Sequence, residues 1–140
     1  MKNRIEEIQD EIIEEFSEFE DWQERFQYLV ELGDALPPYP EEFRKEEYLV
    51  PGCQSRVWVH PRIENNSLFF DADSDTALTK GLIAILIRVF SGQAPKEIAS
   101  SSLEFLEKVG LQKFLSISRR NGLNSMVNLL MNAAKTHNHS

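Results

Sequence analysis

Cys53 is the one cysteine in the chain. It stands in Val50-Pro51-Gly52-Cys53-Gln54-Ser55, just before a run of β-branched and aromatic residues. Pro51 and Gly52 make a turn, so the sulfur belongs at a loop tip or at the mouth of a strand. The glycine beside it removes a side chain and lets another molecule approach closely. A thiol reacts as its thiolate, and an ordinary pKa of roughly 8.5 leaves little of it ionised at neutral pH. A nucleophilic Cys53 therefore needs a helix N-terminus, a cation or a partner's site to help it. Arg56, Arg119 and His60 are the candidates within the chain, and spacing does not say which comes near. Free cysteine is also among the most buried residue types. The residues alone thus leave two readings open, a structural thiol and a reactive one.

The same count excludes other chemistries. A single cysteine closes no intramolecular disulfide, so nothing points to an oxidising compartment. A zinc or iron–sulfur site needs several thiolate or imidazole ligands, and besides Cys53 the chain holds only His60, His137 and His139; no metal site is expected. A cysteine hydrolase needs a histidine base. His60 lies at the end of a strand run, and nothing beside it suggests an oxyanion site.

Composition narrows the partners. Of 140 residues, 41% are hydrophobic and 27% charged, the balance of an ordinary globular protein. A net charge of -8, with no cluster of Lys and Arg, argues against nucleic acid. The longest apolar stretch, Leu82 to Phe90 with Arg88 inside it, is too short to span a bilayer. The start, Met1-Lys2-Asn3-Arg4-Ile5-Glu6-Glu7, lacks the apolar segment of a signal peptide. A cytoplasmic protein with no membrane partner and no cofactor of its own is expected.

Several elements must position the Cys53 turn. Ile5, Ile8, Ile12, Ile13 and Phe16 repeat at helical spacing over residues 2–17, with Asn3 as cap and Glu6 three residues on. A second helix is predicted from Asp21 to Leu32, with Trp22, Phe26, Leu29 and Val30 inward and Gly33 as its stop. Pro37, Pro38 and Pro40 make an extended connector. Val57-Trp58-Val59-His60 and Leu68-Phe69-Phe70, joined through Glu64-Asn65-Asn66-Ser67, read as an antiparallel hairpin with Trp58 in the core. A third strand upstream has no clear place. Residues 76–91 are apolar nearly all round and belong at the centre of the domain. Short helices are expected from Pro95 and from Ser102, then a last helix capped by Ser118 or Asn121. The fold class is α+β, a small antiparallel sheet packed against several helices. Residues 1–140 read as one domain, with residues 136–140 as a frayed tail.

Gly52-Cys53-Gln54-Ser55-Arg56-Val57-Trp58 resembles the G-C-Q-S-x-V-W signature of the SufE family of sulfur acceptors. The likeness continues in order along the chain. Trp22 and Tyr28-Leu29-Val30-Glu31-Leu32-Gly33, followed by Leu36-Pro37, are similar to the family's opening segment. Asp73-Ser74-Asp75 and Lys80-Gly81-Leu82-Ile83-Ala84 resemble its central motif, and Ser118-Arg119-Arg120-Asn121-Gly122-Leu123 its S-R-x-x-G-L element. The resemblance covers residues 20 to 135 and leaves residues 1–18 as a variable N-terminal helix.

This resemblance implies a SufE/IscU-like fold and a sulfur relay. A pyridoxal-phosphate-dependent cysteine desulfurase, SufS- or Csd-type, would pass persulfide sulfur to Cys53 and be stimulated by the encounter. The sulfur would then go to an iron–sulfur cluster scaffold. The cofactor would be the partner's, and a scaffold role for this chain itself fails on ligand count. The resemblance also implies that the Cys53 loop lies at the surface with its sulfur turned toward an apolar pocket, here near Trp58 and the central helix. Gly52, Gln54 and Ser55 would shape that loop, Gln54 and Ser55 by satisfying backbone groups. Asp75 reads as a helix cap or as docking surface, and Arg119 as a loop holder through its donors or as a partner contact. Lys80 and Gly81 read as structural, the glycine marking close approach of another segment. A pure interaction module that activates a desulfurase, with Cys53 incidental, is the alternative reading, and an independent thiol enzyme the third.

Overall fold

The computed structural model describes residues 2–137. Helices α1 (Arg4–Ser17) and α2 (Trp22–Asp34) lead through two single-turn 3-10 segments into β1 (Val57–Glu64) and β2 (Ser67–Ser74). Then follow α3 (Ala77–Phe90), α4 (Pro95–Ala99), α5 (Glu104–Val109) and α6 (Ile117–His137). The arrangement is α+β, as the patterning predicted.

Local chemistry accounts for the element ends. Asn3 Oδ1 accepts from the Glu6 amide at 2.9 Å and Asp21 Oδ1 from the Glu24 amide at 2.9 Å, so both opening helices carry side-chain caps. Asn65 and Asn66 take φ of 50° and 67°, the left-handed pair that a two-residue hairpin turn requires. Eight residue pairs, from Val57↔Ser74 to Glu64↔Ser67, tie β1 to β2.

The apolar helix does go to the centre. Leu82, Ile83, Ile85, Leu86, Val89 and Phe90 of α3 are all 1% exposed or less. Each such side chain contributes roughly 1.5–3 kcal/mol of transfer free energy. Helix α2 covers one side of α3 and β2 another, while α1, α5 and α6 close the remainder. The N-terminal stripe takes part, since Ile5, Ile8, Ile12 and Phe16 are buried in the same core.

Four expectations need correction. Gly33 does not stop α2: it lies within the helix, where a Cβ would stand 2.9 Å from the Gly81 nitrogen of α3. Glycine can serve either as a helix stop or as a thin contact surface, and here the partner helix decided. Phe26 is 40% exposed rather than inward. The cap of α6 is neither Ser118 nor Asn121 but Ser116, whose Oγ accepts from the Arg119 amide at 3.2 Å. Thr136 and His137 still belong to α6, later than the tail expected at 136–140, and residues 138–140 lie outside the described residues. Upstream of β1 a single bridge, Leu49↔Trp58, takes the place of a third strand, because the proline connector and the 3-10 turns at Glu41–Phe43 and Glu46–Tyr48 leave no extended run. Trp58 is buried as expected, with the Arg44 guanidinium 4.7 Å over its ring.

Candidate functional site

The Cys53 loop is strung between two anchors. On its near side the Val50 amide donates to the Val57 carbonyl at 2.8 Å. On its far side the Arg56 amide donates to Asp75 Oδ1 and the Asp75 amide to the Arg56 carbonyl, both at 3.1 Å. Between them Gly52 adopts φ +85°, a left-handed conformation that costs a side-chain-bearing residue. Its α-carbon also faces α6 so closely that a Cβ would meet Ser125 Oγ at 2.7 Å. Glycine is thus required twice over, by conformation and by space, and the turn it makes aims Cys53 at the first turns of α6.

The sulfur is half-buried there. Its thiol donates to the Gly122 carbonyl over 3.5 Å. A Cβ on Gly122 would stand 3.5 Å from Sγ, so the absence of that side chain leaves open the space beside the sulfur. Cys53 forms one wall of a pocket of about 210 Å³. Gln54 and Ser55 line it from the loop, Thr79 and Leu82 from α3, and Ser116, Ser118, Arg119, Gly122 and Met126 from the end of the preceding turn and α6. Burial pushes the Cys53 thiol above its ordinary value, so at rest it is a neutral donor rather than a thiolate.

The candidate residues separate into those that meet and those that do not. Gly52, Gln54, Ser55 and Arg119 gather around the sulfur. Asp75 does not cap α3, whose Thr76 cap makes no side-chain hydrogen bond; its carboxylate holds Arg56 instead. Ser55 meets hydroxyls rather than backbone, its Oγ accepting from Thr76 Oγ1 at 3.0 Å and Thr79 Oγ1 at 3.5 Å. The Arg119 guanidinium is exposed at the pocket wall and, among the described residues, bonds no carbonyl and pairs with no carboxylate. Arg56 is exposed and off the pocket. His60 is elsewhere, stacked on Phe43 at 3.6 Å between centroids and 3.2 Å from Asp71. Lys80 pairs with Asp73 at 3.4 Å, and a Cβ on Gly81 would stand 2.7 Å from the Leu29 carbonyl carbon.

Trp58 was expected near the pocket and does not line it. Four of the ten lining residues, Ser118, Arg119, Gly122 and Met126, come from α6, and of these the sequence pointed only Arg119 toward Cys53. A glycine inside a predicted helix, Gly122, was the available signal for a close approach. Among the described residues no group of three or more His, Cys, Asp or Glu side chains is placed to hold a metal ion. No helix among them is long and apolar enough to cross a membrane.

Comparison with known proteins agrees over most of the chain. The family model of SufE, described as an Fe-S metabolism associated domain, matches residues 10–134. An uncharacterized SufE-like protein of Rhizobium etli is 41% identical over 131 residues, 90% of this chain and 88% of its own length. The cysteine desulfuration protein SufE of Wigglesworthia glossinidia brevipalpis is 36% identical over 125 residues, 88% of this chain and 87% of its own. The solution structure of a hypothetical protein from Thermus thermophilus superposes with a TM-score of 0.77 over 93% of this chain and 95% of that one. At 21% identity that likeness speaks for the fold alone.

Proposed function

The chain belongs to the SufE family, and from that premise we propose that it accepts persulfide sulfur on Cys53 from a pyridoxal-phosphate-dependent cysteine desulfurase in the cytoplasm. The Cys53 thiolate attacks the outer sulfur of the donor's cysteine persulfide. A new S–S bond forms at Cys53, the donor's S–S bond breaks, and the donor cysteine leaves as a thiolate, which takes up the proton that the Cys53 thiol gave up. Cys53 is oxidised to the same extent that the donor cysteine is reduced, and the transferred sulfur keeps its oxidation state, so no outside oxidant is needed. The sulfur then passes to an iron–sulfur cluster scaffold, and the enzyme, SufS- or Csd-type, turns over faster for having been relieved of it.

The observation that carries this reading is the half-buried sulfur beside a pocket with room for more than one atom. A persulfide is lost to any reductant that reaches it, and a wall of Leu82, Met126 and Gly122 limits that access. The anchored loop is short enough to keep the sulfur in place and open enough to swing it outward when a partner docks. With Cys53 as its sole thiol, the chain acts as a sulfur carrier for its partner, needs no cofactor of its own and is no stand-alone catalyst.

Intact mass after incubation with a desulfurase and free cysteine tests the proposal. The expected product is the chain plus one sulfur atom, absent in Cys53→Ser. If Cys53→Ser stimulated the desulfurase as well as the wild type does, the chain would be an interaction module and the relay reading would fall.

A further inference from the structure

A neutral thiol donates one hydrogen bond, whereas a thiolate or a persulfide anion only accepts. At rest the Cys53 thiol faces the Gly122 carbonyl. Once the sulfur is negative, that oxygen repels it and a donor is required from the same pocket. The walls offer the hydroxyls of Ser55, Thr79, Ser116 and Ser118, and the guanidinium of Arg119.

Ser55 is set apart from the others by its wiring. It sits two residues from Cys53 on the same anchored loop and is itself half-buried. Its oxygen accepts from the Thr76 and Thr79 hydroxyls, and its own proton has no acceptor among the described residues. A hydroxyl whose oxygen already accepts is polarised into a better donor. Ser116 lies exposed at the helix start, where its Oγ caps α6. The Arg119 head is exposed, so water screens much of its charge.

We propose that the Ser55 hydroxyl, positioned by Thr76 and Thr79, becomes the hydrogen-bond donor to the Cys53 sulfur when that sulfur is charged, taking over from the Gly122 carbonyl. The inference rests on the reading of Cys53 as a sulfur acceptor and deepens it: one wall of the pocket serves the resting thiol and another the reacting anion. The charged and titratable surroundings are few. Among the described residues Arg119 from α6 is the one charged side chain on the wall; Thr79 and Leu82 from α3, and Ser116, Ser118, Gly122 and Met126, do not titrate. Arg56 and Asp75 flank the loop, bound to each other.

The pH dependence of Cys53 alkylation by iodoacetamide, measured on the full chain without any partner, tests it. In Ser55→Ala the midpoint should move up by about one pH unit, the worth of a hydrogen bond to a charged acceptor. Ser55→Thr keeps the hydroxyl and should restore the wild-type midpoint, Thr76→Val should give an intermediate shift, and Arg119→Gln a smaller one than Ser55→Ala. An unmoved midpoint in Ser55→Ala, or a Ser55→Thr shift as large as that of Ser55→Ala, overturns the inference. If Ser55→Ala does not fold, Thr76→Val decides in the same way. The relay reading is tested separately by sulfur uptake: a wild type that gains no sulfur from a desulfurase fails that reading while leaving the midpoints to stand or fall by themselves.

Discussion

Asp75 and Arg56 clasp one another twice, backbone to backbone and carboxylate to amide, each at 3.1 Å. The first bond prolongs the hairpin by one pair beyond Val57 and Ser74. The second fastens the far end of the Cys53 loop with a side chain rather than with the ladder. A loop that carries the sulfur outward, as the proposed relay requires, is therefore restrained by a carboxylate that never touches it.

Asp75→Ala should release that end of the loop. A hydrogen bond at an exposed amide contributes about 1 kcal/mol, which multiplies the open population by roughly fivefold. Alkylation of Cys53 at fixed pH should quicken by about that factor. Asp75→Asn keeps an oxygen acceptor in place and should stay close to wild type. An unchanged rate in Asp75→Ala would mean that the Val50 anchor alone holds the loop.

Gly81→Ala should destabilise the whole fold rather than the site. Its Cβ would stand 2.7 Å from the Leu29 carbonyl carbon and 3.0 Å from the Leu29 Cβ, so α2 and α3 would have to part. Overpacking of this kind costs about 1–3 kcal/mol. The urea midpoint should fall while the slope stays constant. A midpoint equal to that of the wild type would show that the two helices separate freely.

Much of this was legible because the signals are local. The Asn3 cap, the Ile5-to-Phe16 stripe and the Asn65-Asn66 turn each lie within a few residues, and the apolar run of α3 names the centre unaided. What failed depends on distant partners. Gly33 reads as a helix stop until Gly81 is brought against it. Asp75 reads as a cap until Arg56 arrives across the hairpin. The pocket was the hardest part, since Cys53 and Gly122 are 69 residues apart and no period connects them.

Burial holds the Cys53 thiol above its ordinary value, which makes a pH signature. The folded state keeps this proton more tightly than the unfolded chain does. The resulting stabilisation is fully present below the unfolded thiol pKa and is lost as pH rises through the folded one. Urea midpoints of the wild type and Cys53→Ser should keep a constant gap at neutral pH. As pH rises past the ordinary thiol value of roughly 8.5 the wild type should lose ground to the variant. A gap constant through that range would mean that the folded protein does not disfavour the thiolate.

Gly122→Ala separates stability from capacity. The new Cβ would stand 3.5 Å from the Cys53 sulfur, an ordinary contact that requires no displacement. Alanine within α6 should even favour the helix by up to about 1 kcal/mol. The melting temperature should therefore hold or rise. Yet the methyl group occupies the space beside Sγ, where an outer persulfide sulfur would lie against the helix. Incubation with a desulfurase and cysteine should leave a smaller fraction of Gly122→Ala carrying extra sulfur than of wild type, and that sulfur should be lost faster to dithiothreitol. If the variant loads fully and keeps its sulfur as long, the outer sulfur sits elsewhere in the pocket and Gly122 serves only the resting thiol.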